Sequence, residues 1–222
     1  MAKAPVPGRV KTRLCPPLTE EQAASLAHGF LLDALARART LAASALYLAY
    51  SPPDAGAIFR EIAGEGITCL PQEGDDLGQR MDRLSRRLLA AGHPAVAIIG
   101  TDTPTLPVSV LADALDRLAG GHADLVLGPS EDGGYYLIGM RRPLHGIFAD
   151  IAWGGPTVLA DTRERAAGLG LKVSLLQSWF DVDTPEDLAR LRDALRAEPE
   201  SAEQTRRCLE ELFPVQPAGE TG

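Results

Sequence analysis

The stretch Pro94–Pro107, PAVAIIGTDTPTLP, constrains the fold more than any other part of the chain. Ala95–Gly100 is a short, unbroken apolar run bounded by Pro94 and Gly100, the pattern of a strand buried on both faces of a parallel sheet. Pro104 and Pro107 forbid its continuation, and a helical pattern takes over from Val108 to Leu118. Asp102 is therefore expected at the carboxyl end of a central strand, at the lip of the sheet where α/β proteins place their ligands. A carboxylate there, between the hydroxyls of Thr101 and Thr103, suits a hard divalent metal, Mg²⁺ or Mn²⁺. The same spacing equally suits an aspartate that only closes a turn.

With 222 residues, 45% of them hydrophobic, the chain can bury a full core. It reads as one domain over residues 1–213, followed by a loose tail from Pro214 to Gly222. The net charge of −8 argues against nucleic acid or an anionic membrane as the main partner. Cys15, Cys69 and Cys208 are scattered, without metal-ligand spacing, which points to a reducing compartment. No apolar run has the length of a membrane span, and the polar, proline-rich start is no signal peptide. A soluble cytoplasmic protein, monomer or homodimer, is expected.

The first seventeen residues set Lys3, Arg9, Lys11 and Arg13 among prolines and Gly8, concentrating positive charge in an acidic chain. Thr19 and Gln22 then form a capping-box pattern for a helix reaching about Ala42. A basic loop feeding a helix is a candidate phosphate cradle, and a solvated surface loop would have the same composition. Further on, strands are expected at Ala45–Tyr50 and Ile67–Leu70, with helices at Asp54–Ala63 and Leu77–Ala91. Gly78 would let a ligand approach the start of that second helix, Arg80 could reach an anion, and Asp75 and Asp76 read as helix caps.

Asp124–Leu127 is a further buried strand, followed by SEDGGYYLIG, in which Tyr135–Gly139 alternates as a strand. The Gly133–Gly134 pair makes either a tight hairpin or a close approach to sugar or phosphate, with Asp132 bonding hydroxyls. Trp153, in the irregular stretch Arg141–Thr157, either stacks on a sugar or plugs the edge of the core. A helix at Pro156–Leu169, a strand at Leu171–Leu176 and helices at Pro185–Arg196 and Ala202–Leu212 complete the pattern. In FDVDTPEDL, Thr184 caps the helix opened by Pro185, Asp183 is a possible cap, and Asp181 stands free to complete a metal site begun by Asp102. Strands alternating with helices mean an α/β fold with a mostly parallel sheet. No dinucleotide fingerprint, P-loop or serine elbow is present.

Taken together, KAPVPGRVKTRL, DLGQRM, GTDTPTLP, EDGGYYLIG and FDVDTPEDL resemble a bacterial family of small GT-A-fold, glycosyltransferase-like proteins, some linked with arsenosugar biosynthesis. That family is similar in turn to the molybdenum-cofactor and 2-phospholactate guanylyltransferases. The resemblance implies a three-layer nucleotide-diphospho-sugar transferase fold with helices on both faces of the sheet. It implies that Gly8, Arg9, Lys11, Thr12 and Arg13 hold the nucleotide phosphates, with Gly78 and Arg80 bordering the nucleotide pocket. Asp102 would carry the metal, completed by Asp181 and Asp183, while Asp132, Gly133, Gly134 and Trp153 would face sugar or acceptor. Asp102, Lys11 and Asp132 are the implied catalytic set. Relatives carry a hydrophobic strand ahead of the KAPVPG loop, where this chain has Met1 and Ala2. The expectation is an open reading frame that starts several residues upstream, or a sheet with a gap.

The resemblance leaves three functions to weigh. A metal-dependent glycosyltransferase would move a sugar from a nucleotide-diphospho-sugar to a small acceptor, and stands first. A nucleotidyltransferase would join a nucleoside monophosphate to a phosphorylated small molecule, releasing pyrophosphate. A non-catalytic nucleotide-binding module is the third.

Overall fold

The computed structural model describes residues 1–43, 45–198 and 201–214, so the expected tail lies, after Pro214, outside the described residues. Its elements fall close to where periodicity and caps placed them. In chain order they are β1 (Ala2–Lys3), α1 (Glu20–Thr40), β2 (Leu46–Ser51), α2 (Gly56–Ala63), β3 (Ile67–Pro71), α3 (Leu77–Ala90) and β4 (Val96–Ile99). Then come α4 (Val108–Ala119), β5 (Leu125–Pro129), β6 (Tyr135–Met140), α5 (Val158–Gly168), β7 (Val173–Leu175), α6 (Pro185–Ala197) and α7 (Glu203–Leu212). Reciprocal capping boxes start both α1, from Thr19 with Gln22, and α6, from Thr184 with Asp187.

The α/β architecture is the expected one, with two refinements in the sheet. Strands β1, β2 and β3 pair in parallel, and a second group runs β4-β6-β5-β7. In that group β5 and β7 are parallel, whereas β6 is antiparallel to both of its neighbours. Alternation along Tyr135–Gly139 predicts a strand but carries no direction. The turn supplies it: Ser130 N–H donates to the Gly134 carbonyl at 3.0 Å, so SEDGG is a hairpin connection.

The second refinement concerns β4, expected as a central strand. Among the described residues it is the edge strand of its group, paired with β6 on one side. Its other edge faces β2 across a slot of about 510 Å³, lined among others by Leu48, Leu84, Ile98 and Leu111. β1 enters this slot for two residues, opposite Tyr50 and Ser51 of β2. The Met1 ammonium spans the remaining distance and donates to the Ile99 carbonyl at 2.6 Å. Burial there pulls its pKa down to about 6.

Two apolar clusters set the frame of the lip. Leu125, Leu127, Ile138 and Met140 pack beneath the second strand group. Leu14, Leu26, Phe30, Val182 and Leu191 join the N-terminal loop, α1 and α6. Phe30 is fully buried, and burying such a side chain contributes roughly 2–3 kcal/mol.

α7 docks on α1 through a charge that replaces a missing cap. Its N-cap, Ala202, offers no side-chain acceptor. Asp33, buried on α1, accepts instead from Gln204 N–H (3.0 Å), Thr205 N–H (2.8 Å) and Thr205 Oγ1 (2.6 Å). Replacing Asp33 by Ala orphans these donors, so Asp33→Ala is expected to lose roughly 3 kcal/mol in urea unfolding. A loss under roughly 0.5 kcal/mol would contradict this docking account.

Candidate functional site

The lip of the sheet gathers charged side chains from four segments. β4 ends in the TDTP loop, whose Thr103 and Thr105 are buried. Arg37, from α1, donates to the backbone carbonyls of Thr103 (3.1 Å) and Pro104, so a helix on one face holds the loop that carries Asp102. The segment between β7 and α6 is fastened beside it. Trp179 pairs with Ser130, its indole N–H donates to Thr105 Oγ1 at 3.2 Å, and Val182 N–H donates to the Asp102 carbonyl at 2.9 Å. Val182 is fully buried, so the residues on either side of it, Asp181 and Asp183, are carried to the same lip as Asp102.

Lys11 meets them there. Its Nζ lies 2.6 Å from Asp102 Oδ1 and 2.8 Å from Asp183 Oδ1. Burial alone would lower its pKa, but Asp102 and then Asp183 outweigh that, and the ammonium is held above its ordinary value. Asp183 is thus an ion-pair partner, and the cap of α6 is left to Thr184.

Asp181 is engaged differently. It accepts from the Ser130 hydroxyl at 2.8 Å and sits in the field of Asp132, Asp102 and Asp183. Burial is the main force on its carboxyl, Ser130 opposes it, and the three acids add to it; the pKa is pushed up to about 7. Asp132 lies exposed on the β5–β6 turn, with Oδ1 accepting from Gly134 N–H at 2.9 Å. Gly133 has φ +92°, and a Cβ there would strike the Pro156 carbonyl, so this glycine lets the turn sit against the segment that leads into α5.

Oxygen donors of this kind are the natural choice for Mg²⁺ or Mn²⁺, but with Lys11 seated they do not fit such an ion. One ammonium holds Oδ1 of both Asp102 and Asp183, while Ser130 holds Asp181. Among the described residues, no group of three His, Cys, Asp or Glu side chains is arranged to hold a metal.

The remaining expected residues divide. Arg9, Thr12 and Arg13 are exposed on the loop near Lys11. The start of α1 behind them is no open phosphate cradle, because its capping box is closed and Glu20 and Glu21 occupy its first turn. Gly78, expected to border the nucleotide pocket, and Trp153, expected to face sugar or acceptor, touch each other. A Cβ on Gly78 would sit 2.5 Å from the indole, and Trp153 packs edge-on to Tyr135. Here the glycine admits a tryptophan. Arg80 is anchored to the Gly74 carbonyl at 2.9 Å. Asp76 caps α3 through Gln79 N–H, whereas Asp75 makes no such cap. Arg37 and Ser130 escape sequence reasoning, since an arginine on an amphipathic helix and a serine after a strand carry no signal of their own.

Residues 34–155 match the DUF2064 family, described as an uncharacterized protein conserved in bacteria. A candidate nucleotide-diphospho-sugar transferase from Desulfovibrio desulfuricans G20 is similar at TM-score 0.87 and 34% identity, over 95% of this chain and 91% of that one. CMP:2-keto-3-deoxy-manno-octonic acid synthetase complexed with CTP shares the fold at TM-score 0.55 and 12% identity, over 76% of this chain and 88% of that one. So does Rv0371c from Mycobacterium tuberculosis H37Rv, at TM-score 0.51 and 20% identity, over 86% and 95%. The fold is that of the nucleotide-diphospho-sugar transferases. No curated protein matches the chain. Among the described residues, no helix is long and apolar enough to cross a membrane.

The raised Asp181 pKa has a definite sign in stability. Its folded value, about 7, lies above the ordinary 3.8, so the folded state holds the proton more tightly and the benefit is lost as pH rises through 7. Asp181→Asn is expected to gain in melting temperature over the parent as pH goes from 4 to 7. A difference that stays flat over this range would refute the assignment.

Proposed function

The chain belongs to the DUF2064 family, and from that premise we propose that it is a nucleotide-dependent transferase that moves a sugar from a nucleotide-diphospho-sugar to a small acceptor. The observation that carries the reading is the likeness to the Desulfovibrio protein along nearly the whole chain. The lip supports it, because it offers one buried ammonium and two exposed guanidinium groups, of Arg9 and Arg13, on a single loop. Charge-assisted hydrogen bonds from such groups stabilise a diphosphate as it leaves. In this reading Asp132, exposed on the β5–β6 turn, is the carboxylate that takes the proton of an acceptor hydroxyl. Arg37 and Ser130 keep the acids in register while the small groups exchange.

Nucleotidyl transfer is the second reading. The three cations of the loop suit a triphosphate, and the CTP complex of the octonic acid synthetase shows that a protein of this fold class holds one.

Melting-temperature shifts with nucleotide-diphospho-sugars and with nucleoside triphosphates separate the readings. One nucleotide-diphospho-sugar is expected to raise the melting temperature by several degrees, and Arg13→Ala to weaken its binding about tenfold. Free nucleoside diphosphate should then appear on adding acceptor. Stabilisation by a triphosphate alone, with pyrophosphate released, would replace the first reading by the second, and no shift with any nucleotide would refute both.

A further inference from the structure

Three segments remote in sequence meet at one nitrogen. Lys11 Nζ bridges Asp102, at the end of β4, and Asp183, at the entry of α6. An ammonium this close to two carboxylate oxygens has the charge and the position of a bound cation. The seat is built for it. Lys11 takes the left-handed backbone conformation, φ 49° and ψ 33°, which a side chain with a Cβ adopts only against a steric cost. That turn sends the stem inward, leaving the side chain 6% exposed, and Nζ stands 5.4 Å from the centre of the buried Phe30 ring. The two acids, by contrast, remain 48% and 37% exposed, so solvent ions reach them while the lysine holds the protein side.

We infer that Lys11 is the resident cation of this site, occupying the place between Asp102 and Asp183 and keeping divalent ions off both carboxylates in the unliganded protein. A divalent ion bridging the same two carboxylates would meet the ammonium already seated on Oδ1 of each. Two cations that exclude each other from shared oxygens compete, so removing one raises the affinity for the other. Asp181 makes no contact with this ammonium; its Oδ2 accepts from Ser130. The inference concerns the chain's own residues and holds whichever group the site transfers.

The probe is Mn²⁺ alone, with no nucleotide present, followed by the electron-spin signal of the free ion and by melting temperature. The parent protein is expected to bind it weakly, and Lys11→Met at least tenfold more tightly, with a matching rise in melting temperature. Lys11→Arg, which keeps a cation, should behave as the parent, and adding Asp102→Asn to Lys11→Met should abolish the gain. Equal or weaker Mn²⁺ binding by Lys11→Met overturns the inference. Should that variant fail to fold, acetylation of the parent protein decides. The lysines are Lys3, Lys11 and Lys172, of which Lys3 and Lys172 are exposed. Lys11 is expected to react far more slowly than those two, and to speed up as Mn²⁺ saturates the protein. Reaction of Lys11 at the pace of Lys3, or saturation that leaves its labelling unchanged, overturns the inference. Since neither assay contains a nucleotide, its outcome is separate from that of the transferase reading.

Discussion

The contact of Lys11 with Asp102 and Asp183 is the constraint on which the rest of the lip depends. Three like charges of Asp102, Asp181 and Asp183 at one sheet edge repel, and a fold that gathers them needs a cation or a proton to offset the repulsion. The chain uses both. The ammonium serves Asp102 and Asp183, and burial with neighbouring acids raises the pKa of Asp181 so that its carboxyl holds a proton more readily. Because Lys11 comes from the N-terminal loop, the same contact draws that loop over Phe30, where its Leu14 joins Val182 and Leu191 in one apolar cluster. Charge pairing and apolar burial thus act on one segment in the same direction.

Around this centre, each acid is held through backbone as well as side chain. Arg37 grips the carbonyls that follow Asp102, Val182 N–H grips the Asp102 carbonyl, and the Thr184–Asp187 capping box fixes the chain just after Asp183. Glu131 and Arg190 add an ion pair between the β5–β6 turn and α6, with the guanidinium 4.0 Å from the centre of the Phe180 ring. Such a frame orders the site before any ligand arrives, which is what electrostatic catalysis by fixed dipoles and charges requires.

Much of this was legible in the chain. An apolar run broken by Gly100 and two prolines placed Asp102 at the lip, and the Thr19–Gln22 spacing and the Thr184–Pro185 pair located two helix starts. What was not legible depended on contacts between distant residues. Alternation along β6 gave its faces but not its direction. Gly78 and Trp153 read as ligand contacts because each suits one, and only the fold shows that they fill each other's space. Lys11 read as a phosphate ligand, and Asp183 as a possible cap or, by resemblance, a metal ligand; that the two meet was not legible, since no local pattern reveals a partner 172 residues away. The central position expected for β4 was not legible either: among the described residues it pairs with β6, and its other edge faces a slot.

A double-mutant cycle on unfolding free energy tests the central claim most directly. Lys11→Met, Asp183→Asn and the pair would be compared with the parent in urea. If the ammonium ties the loop to the entry of α6, the two substitutions couple by about 1–2 kcal/mol, the double variant losing less than the sum of the singles. Additivity to within roughly 0.3 kcal/mol would mean that the contact holds nothing together, and would contradict the account.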